Sequence, residues 1–268
     1  MIVYEKPLRD GLQAIIANAI RDNGNNTALS PLFESVIGCT TAITDSVRQN
    51  DPPIKPLACE AGCSHCCYQY DVGVTPFEIL CIAAHILETY NKDKQAVVLD
   101  KIAMAEKKKR SLPIEDWGYG KFPCPLLVDE KCSVYEVRPL VCRAMNSYDG
   151  DRCRQNRETP RNDSSVPMYG HQYEIAKFAR VGIQRGLSDV SLQNEILELV
   201  PALRIALTTS GALLRWLAGE RIFEEAVSRL PPRSGRPNDK EATNGDATPD
   251  SILNTTEKPP RRLNHDTS

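Results

Sequence analysis

The segment CEAGCSHCC, at residues 59–67, places four cysteines within nine positions and is the most informative part of the sequence. Two thiolates separated by two residues can bind one ion, because a tight turn brings their sulfurs together. Cys63 and Cys66 have this spacing, and Gly62 supplies the backbone freedom that such a turn requires. The stretch therefore predicts a metal-binding turn.

A second group of four cysteines follows further along the chain, at Cys124, Cys132, Cys142 and Cys153. Seven, nine and ten residues separate its successive members. Thiolates are soft ligands, which favours zinc, copper(I) or an iron–sulfur centre over magnesium or calcium. Eight thiolates, with those of Cys59, Cys63, Cys66 and Cys67, leave room for two centres or for one centre with spare thiols. The other two cysteines, Cys39 and Cys81, fall on apolar helical faces and are predicted to pack in the core.

The residues around the cysteines leave two questions open. Cys66 and Cys67 are adjacent, and neighbouring side chains diverge in extended backbone, so the pair either serves different metals or contains only one ligand. His65 is a less favoured alternative ligand inside the same turn. Arg138 and Arg143 either offset the negative charge of the thiolates or form an ordinary ion pair with Glu136.

The composition is that of an ordinary globular protein. The 268 residues are 41% hydrophobic and 25% charged with a net charge of −2, which argues against binding to nucleic acid or to an anionic membrane. There is no signal-peptide pattern, and no uncharged apolar stretch reaches the roughly 18–20 residues of a membrane span. We therefore expect a cytoplasmic protein, where clustered cysteines more often bind metal or do redox chemistry than form disulfides.

The hydrophobic periodicity predicts a mainly α-helical fold, with helices at about 7–22, 30–48, 75–90, 92–110, 169–185, 187–199 and 202–230. Ser30 is the predicted N-cap of the second helix, Thr75 and Glu78 form a capping box, and Pro201 divides the last two helices. A short strand is predicted within residues 68–74.

Residues 111–167 show little periodicity and are rich in Pro, Gly, Cys and Arg. Such a segment needs another source of order, and a bound metal supplies one. We therefore expect helices packed around an irregular, metal-stabilised cysteine-rich loop core, with at most a few short strands.

Four segments follow from these patterns. They are a helical segment at 1–55, a cysteine-cluster metal-binding domain at 56–157, a helical segment packing on it at 158–230 and a disordered tail at 231–268. The tail prediction rests on its composition, which is rich in Pro, Asn, Asp, Thr and Lys and poor in apolar residues.

The second cysteine group carries further motifs, CPLL at 124–127 and VYEVRPLVCR at 134–143. Together with Cys63-x-x-Cys66-Cys67, residues 56–157 resemble the YkgJ-type CxxCxxCC cysteine-cluster family, described as zinc- or iron-chelating. The resemblance implies metal-ligand roles for Cys63, Cys66, Cys67, Cys124, Cys132 and Cys142. The family's strict pattern has two residues between its first two cysteines, whereas three separate Cys59 from Cys63 here. Cys153 is added by spacing alone.

Two classes of function follow. The first is a metal-binding protein that chelates zinc or iron, or holds an iron–sulfur cluster, without catalysis. The second is an iron–sulfur enzyme, because flagellin lysine-N-methylases are similar in their cysteine motifs and Cys59-x3-Cys63-x2-Cys66 has the radical S-adenosylmethionine spacing. That spacing belongs ahead of a repeated β/α pattern, whereas helices and cysteine loops follow here. The chain has no nucleotide loop, nucleophile elbow or metalloprotease helix, which favours the first class. The sequence identifies neither a catalytic residue nor a protein partner.

Overall fold

The computed structural model describes residues 3–68, 72–113, 116–117, 121–159 and 166–228. These residues contain nine α-helices: α1 (Glu5–Asn23), α2 (Leu29–Asn50), α3 (Pro76–Thr89), α4 (Lys92–Arg110), α5 (Leu140–Ala144), α6 (Gly150–Glu158), α7 (Gly170–Ser188), α8 (Leu199–Thr208) and α9 (Ala212–Leu217). Two antiparallel strand pairs join β1 (Gly73–Val74) to β4 (Leu197–Glu198) and β2 (Leu127–Val128) to β3 (Lys131–Cys132). The predicted mainly α-helical class is confirmed. The predicted disordered tail lies outside the described residues, and the division of the rest of the chain into three segments stays a prediction.

Helices α1 and α7 pack unusually close together at two glycines of α7. A Cβ atom at Gly182 would lie 2.6 Å from the Arg9 carbonyl oxygen, and one at Gly186 would lie 2.7 Å from the Gln13 carbonyl oxygen. Only residues without a side chain allow two backbones to approach this closely. Ile16 of α1, which is fully buried, fills the space beside Gly186.

One hydrophobic core runs through these helices. Its largest fully buried side chains include Phe77 on α3, Ile102 on α4, Ile183 on α7 and Trp216 on α9. Cys81 is buried on α3, and the half-buried Cys39 of α2 packs against the same core, as predicted for both.

A chain of side-chain hydrogen bonds ties together three helix ends. The Tyr4 hydroxyl lies 3.1 Å from Nδ1 of His171, and Nε2 of His171 lies 2.7 Å from a carboxylate oxygen of Asp51. Burial, with the nearby Glu174 and Tyr169, raises the pKa of Tyr4 to about 12. The start of α7 is thereby joined to the start of α1 and to the end of α2, a role for His171 that its sequence position did not indicate.

The predicted capping box at the start of α3 is confirmed. The backbone N–H of Glu78 donates to the Thr75 hydroxyl oxygen, and the Glu78 carboxylate accepts from the Thr75 backbone N–H at 2.8 Å. The predicted N-cap of α2, Ser30, was wrong by two residues. The helix begins at Leu29, which is buried, and Ser30 lies within its first turn.

The helix predicted at 187–199 does not form. Helix α7 ends at Ser188, Ser191 has a left-handed φ of 57°, and Leu197 pairs with Val74 in the β1–β4 sheet. The apolar residues of this segment are buried by tertiary contacts rather than along one helical face.

The predicted position of Pro201 between two helices, the bounds of the helix at 202–230 and the length of the strand were also wrong. Pro201 lies in the first turn of α8, where its missing N–H costs no hydrogen bond. The helix predicted to reach residue 230 ends at Thr208, and Gly211, with a φ of 63°, starts the short α9. Of the strand predicted at 68–74, only Gly73–Val74 forms.

None of the helices in the described part of the chain combines the length and the apolar composition that a membrane crossing requires.

We expect Gly186→Ala to destabilise the protein by about 1–3 kcal/mol, because the new methyl group would overlap the α1 backbone. Gly11→Ala is the matched control, since its Cβ would meet nothing within 4 Å on an exposed helix face. It should raise the free energy of unfolding by about 0.5–1 kcal/mol. Urea unfolding followed by circular dichroism measures both values, and equal stability of the two variants would contradict the close packing.

Candidate metal centre

The eight predicted ligands lie on short elements and loops. Cys66 and Cys67 lie in a 3-10 turn, Cys132 in β3, Cys142 in α5 and Cys153 in α6. The other three, Cys59, Cys63 and Cys124, lie in loops. All eight are free thiols, so no disulfide competes with metal binding.

The turn predicted around Gly62 is present in the backbone. Gly62 has a φ of 93°, and the N–H of Cys63 donates to the Glu60 carbonyl oxygen at 3.0 Å. The N–H of Cys67 donates to the Ser64 carbonyl oxygen at 2.8 Å, which begins the 3-10 turn His65–Tyr68. Four cysteines are thereby gathered on a compact loop.

The adjacent Cys66 and Cys67 do not diverge. The expectation of divergence assumed extended backbone, whereas the two residues lie in a 3-10 turn. The neighbouring Cys67 thiol is the largest of the influences that raise the pKa of Cys66, ahead of burial. The two sulfurs are therefore close enough to contact a common centre.

The β2–β3 hairpin is clamped to this loop by Glu130. Asp129 and Glu130 form its two-residue turn with left-handed φ values of 48° and 58°, a conformation that residues other than glycine rarely adopt. The Glu130 carboxylate accepts hydrogen bonds from the hydroxyls of Ser64 and Tyr68, the latter at 3.0 Å. These two bonds lower the pKa of Glu130, and Arg157, whose guanidinium lies 3.6 Å away, contributes further.

Backbone hydrogen bonds then fix two thiols of the second group. The N–H of Cys124 donates to the Cys67 carbonyl oxygen at 2.8 Å, which joins the two cysteine groups directly. Cys132 is paired with Leu127 across the hairpin, and Leu127 donates its N–H to the Cys124 carbonyl oxygen at 2.9 Å.

Cys142 is positioned by the buried carboxylate of Glu78. One oxygen of Glu78 completes the capping box of α3, and the other accepts from the backbone N–H of Leu140 at 2.8 Å. Leu140 is the first residue of α5, so one carboxylate holds the starts of two helices. Cys142 lies two residues further along α5, and burial raises the pKa of its thiol well above the ordinary value.

Thiols of both sequence groups lie within electrostatic reach of Cys66. Cys66 interacts electrostatically with six other cysteines, namely Cys59, Cys67, Cys124, Cys132, Cys142 and Cys153. Negative charges this near to one another raise each other's pKa, so the thiols hold their protons until a cation replaces them.

A buried serine that the sequence analysis did not identify joins the remaining cysteines. The Ser147 carbonyl oxygen accepts from the Ala58 N–H at 2.8 Å, which fixes the approach to Cys59. The Ser147 backbone lies near the Cys59 thiol and the Ser147 hydroxyl near the Cys153 thiol, and both oppose the rise in pKa that burial causes at these two thiols. No pattern in the sequence singles out this serine.

A polar cleft of about 640 Å³ opens beside this part of the cluster. Its lining includes Cys63, His65, Asp149 and Arg154. Nδ1 of His65 is buried and has no hydrogen-bond partner among the described residues. A cation bound beside Cys63 would supply such a partner, so His65 stays an alternative ligand.

The donor set fits zinc or iron by chemistry, because thiolates and imidazole are the ligands that these metals prefer. Within the described residues, however, no three His, Cys, Asp or Glu side chains are arranged to hold an ion. The backbone contacts bring the thiols together, and rotation of the cysteine side chains would have to complete the coordination.

Replacing Glu78 by Gln should destabilise the protein by about 1–3 kcal/mol, because an amide cannot accept on both sides and leaves a buried N–H unpaired. We also expect faster alkylation of Cys142, measured by mass spectrometry, since α5 loses its anchor. Glu88→Gln, on the exposed face of the same helix, is the control. Unchanged stability and an unchanged alkylation rate for Glu78→Gln would contradict the shared anchor.

The metal-free protein should lose stability as pH rises above about 9. Burial raises the pKa of Cys124 from 9.0 to about 11, so the folded state keeps a proton that the unfolded chain releases first. Stability from this thiol is therefore complete below pH 9 and falls by about 1.4 kcal/mol per pH unit up to about 11. Urea unfolding of the wild type and of Cys124→Ser, in the presence of a chelator, measures the difference in slope. Parallel curves would contradict the shift.

The segment that holds these cysteines matches a known family model. Residues 58–164 match the family model CxxCxxCC, described as "Putative zinc- or iron-chelating domain". No curated protein and no solved structure gave a match to the chain. The resemblance found in the cysteine motifs is thereby confirmed over residues 58–164.

Proposed function

We propose that this domain chelates zinc or iron through thiolates. The ligands are the six cysteines Cys63, Cys66, Cys67, Cys124, Cys132 and Cys142, with Cys59 and Cys153 as additional ligands. The observation that supports this proposal most strongly is the backbone hydrogen bond from Cys124 to Cys67, at 2.8 Å, which brings free thiols of both sequence groups together. A core made only for packing has no reason to gather so many thiols beside polar loops.

The weak packing of two of the elements that carry the cysteines also supports metal binding. Helix α6 contains no buried residue, and each strand of the β2–β3 hairpin has only two residues. Elements this small contribute little hydrophobic stabilisation. A metal ion held by several thiolates binds the folded state only, so its binding free energy becomes folding free energy.

Cys66→Ser and Cys132→Ser should each lose most of the bound metal, because each removes one thiolate from the region where the two groups meet. Cys39→Ser is the matched control, since Cys39 packs against the helical core away from the cluster. The measurement is the zinc, iron and sulfide content of full-length protein purified without oxygen, together with its visible absorbance.

Full metal content in both cluster variants would contradict the ligand assignment. A brown protein with sulfide near the iron content would identify an iron–sulfur centre, and a colourless protein with one or two zinc ions would identify a zinc site. A wild-type protein that holds neither metal, even after anaerobic reconstitution, would contradict the proposed function.

A further inference from the structure

Two arginines beside the cluster, Arg138 and Arg143, pair with no carboxylate of the residues that the structure describes. Nη1 of Arg138 donates to the Tyr135 carbonyl oxygen at 2.9 Å, and its guanidinium carbon lies 3.5 Å from the centre of the Tyr135 ring. Nε of Arg143 donates to the Arg138 carbonyl oxygen at 3.1 Å, and Nη2 of Arg143 donates to the Glu136 carbonyl oxygen. Both guanidinium groups are thus held in place by uncharged groups.

Neither arginine forms an ion pair within the described part of the chain, whereas other arginines of the same domain do. Arg154 pairs with Asp151, and Arg157 pairs with Glu130. The exposed Glu136 acts on Arg143 electrostatically, but its carboxylate makes no ion pair with it among these residues. The ordinary ion pair considered from the sequence is therefore not formed.

Holding two like charges close together costs free energy unless an anion lies nearby. Arg138 and Arg143 lie on the segment that follows Cys132 and contains Cys142, and the hydrogen bond from Nε of Arg143 to the Arg138 carbonyl oxygen keeps them together. The Cys132 thiol lies within electrostatic reach of both arginines, and the Cys66 thiol lies within reach of Arg138. The anions nearest to this pair of charges would therefore be thiolates of the cluster.

We propose that Arg138 and Arg143 are the counter-charges of the thiolate centre, held over its Cys66 and Cys132 side by hydrogen bonds to backbone carbonyls. This inference rests on the proposed function. Four thiolates around one divalent ion carry a net charge of about −2, which two guanidinium groups balance. Charge compensation lets the thiolates gather at neutral pH, so these residues set the affinity for metal without being ligands.

Arg157 provides a matched control within the same domain. Its guanidinium carbon lies 3.4 Å from the centre of the Tyr68 ring, a stacking contact like that of Arg138 on Tyr135. The charge of Arg157 is already met by Glu130. Replacing either arginine by Gln removes the same group and the same kind of stacking, but only Arg138 supplies an unpaired charge to the thiols.

The test is the affinity of the reduced full-length protein for Zn²⁺, measured without oxygen by competition with a chromophoric zinc chelator. We expect Arg138→Gln and Arg143→Gln each to weaken binding about 10-fold and the double variant about 100-fold. Arg138→Lys, which keeps the charge, should stay within about threefold of the wild type, and so should Arg157→Gln. Circular dichroism in excess chelator shows whether each variant keeps the metal-free fold. If Arg143→Gln does not fold, the Arg138 variants alone decide the result.

The outcomes separate this inference from the proposed function. Wild-type affinity in Arg138→Gln, or equal losses in Arg138→Gln and Arg157→Gln, would overturn the role of counter-charge while leaving metal binding intact. Failure of Arg138→Lys to restore affinity would point to shape rather than charge and would also overturn it. A wild-type protein that binds neither Zn²⁺ nor iron would remove both proposals together.

Discussion

The buried carboxylate of Glu78 is the contact on which the arrangement of the cysteine segment depends. It accepts hydrogen bonds from the Thr75 backbone and hydroxyl with one oxygen and from the Leu140 backbone with the other. A negative charge suits this position, because the N-terminus of each helix carries partial positive charge. Helix α5 has only five residues and would not form alone. Its placement, and with it the placement of Cys142 and Arg143, follows from an anchor on the long core helix α3.

Thiols that lie close together and away from water ionise at a higher cost in free energy than separate, exposed thiols. Each neighbouring thiolate, and each step away from water, favours the protonated form, and the domain's thiols accordingly have raised pKa values at Cys124, Cys132 and Cys142. A divalent ion reverses this balance, because it replaces the protons and attracts the negative charge that repelled before. On the proposed function, the same crowding that stabilises the protonated thiols in the metal-free protein would favour a soft cation, with Arg138 and Arg143 offsetting the remaining charge.

The sequence predicted best what depends on neighbours in the chain. The capping box of Thr75 and Glu78 and the turn at Gly62 are local, so residue type and spacing were enough to identify them. The motifs at 56–157 likewise identified the family whose model matches residues 58–164.

Contacts between distant parts of the chain gave no such signal. The segment at 187–199 has apolar residues at helical spacing, yet Leu197 is buried by pairing with Val74, more than a hundred residues earlier. The second partner of Glu78, the role of Ser147 and the close approach at Gly186 arise in the same way. The periodicity of apolar residues indicates that a residue is buried, but it does not indicate which part of the chain the residue packs against.

The helical core and the cysteine domain are connected through Arg143 itself. The backbone carbonyl oxygen of Arg143 accepts from Nε2 of Gln172 on α7 at 2.9 Å. The side-chain oxygen Oε1 of Gln172 accepts in turn from Nη2 of Arg48 on α2 at 2.8 Å. The buried Asn146 adds a second link, because it accepts from the Tyr169 N–H at 2.7 Å and donates to the Tyr169 carbonyl oxygen. The Arg143 guanidinium lies within electrostatic reach of the Cys132 thiol, while its backbone carbonyl is bound by α7. On the proposed function, metal binding would change the charge beside a residue that also contacts the helical core, and would therefore be coupled to the packing of α2 and α7.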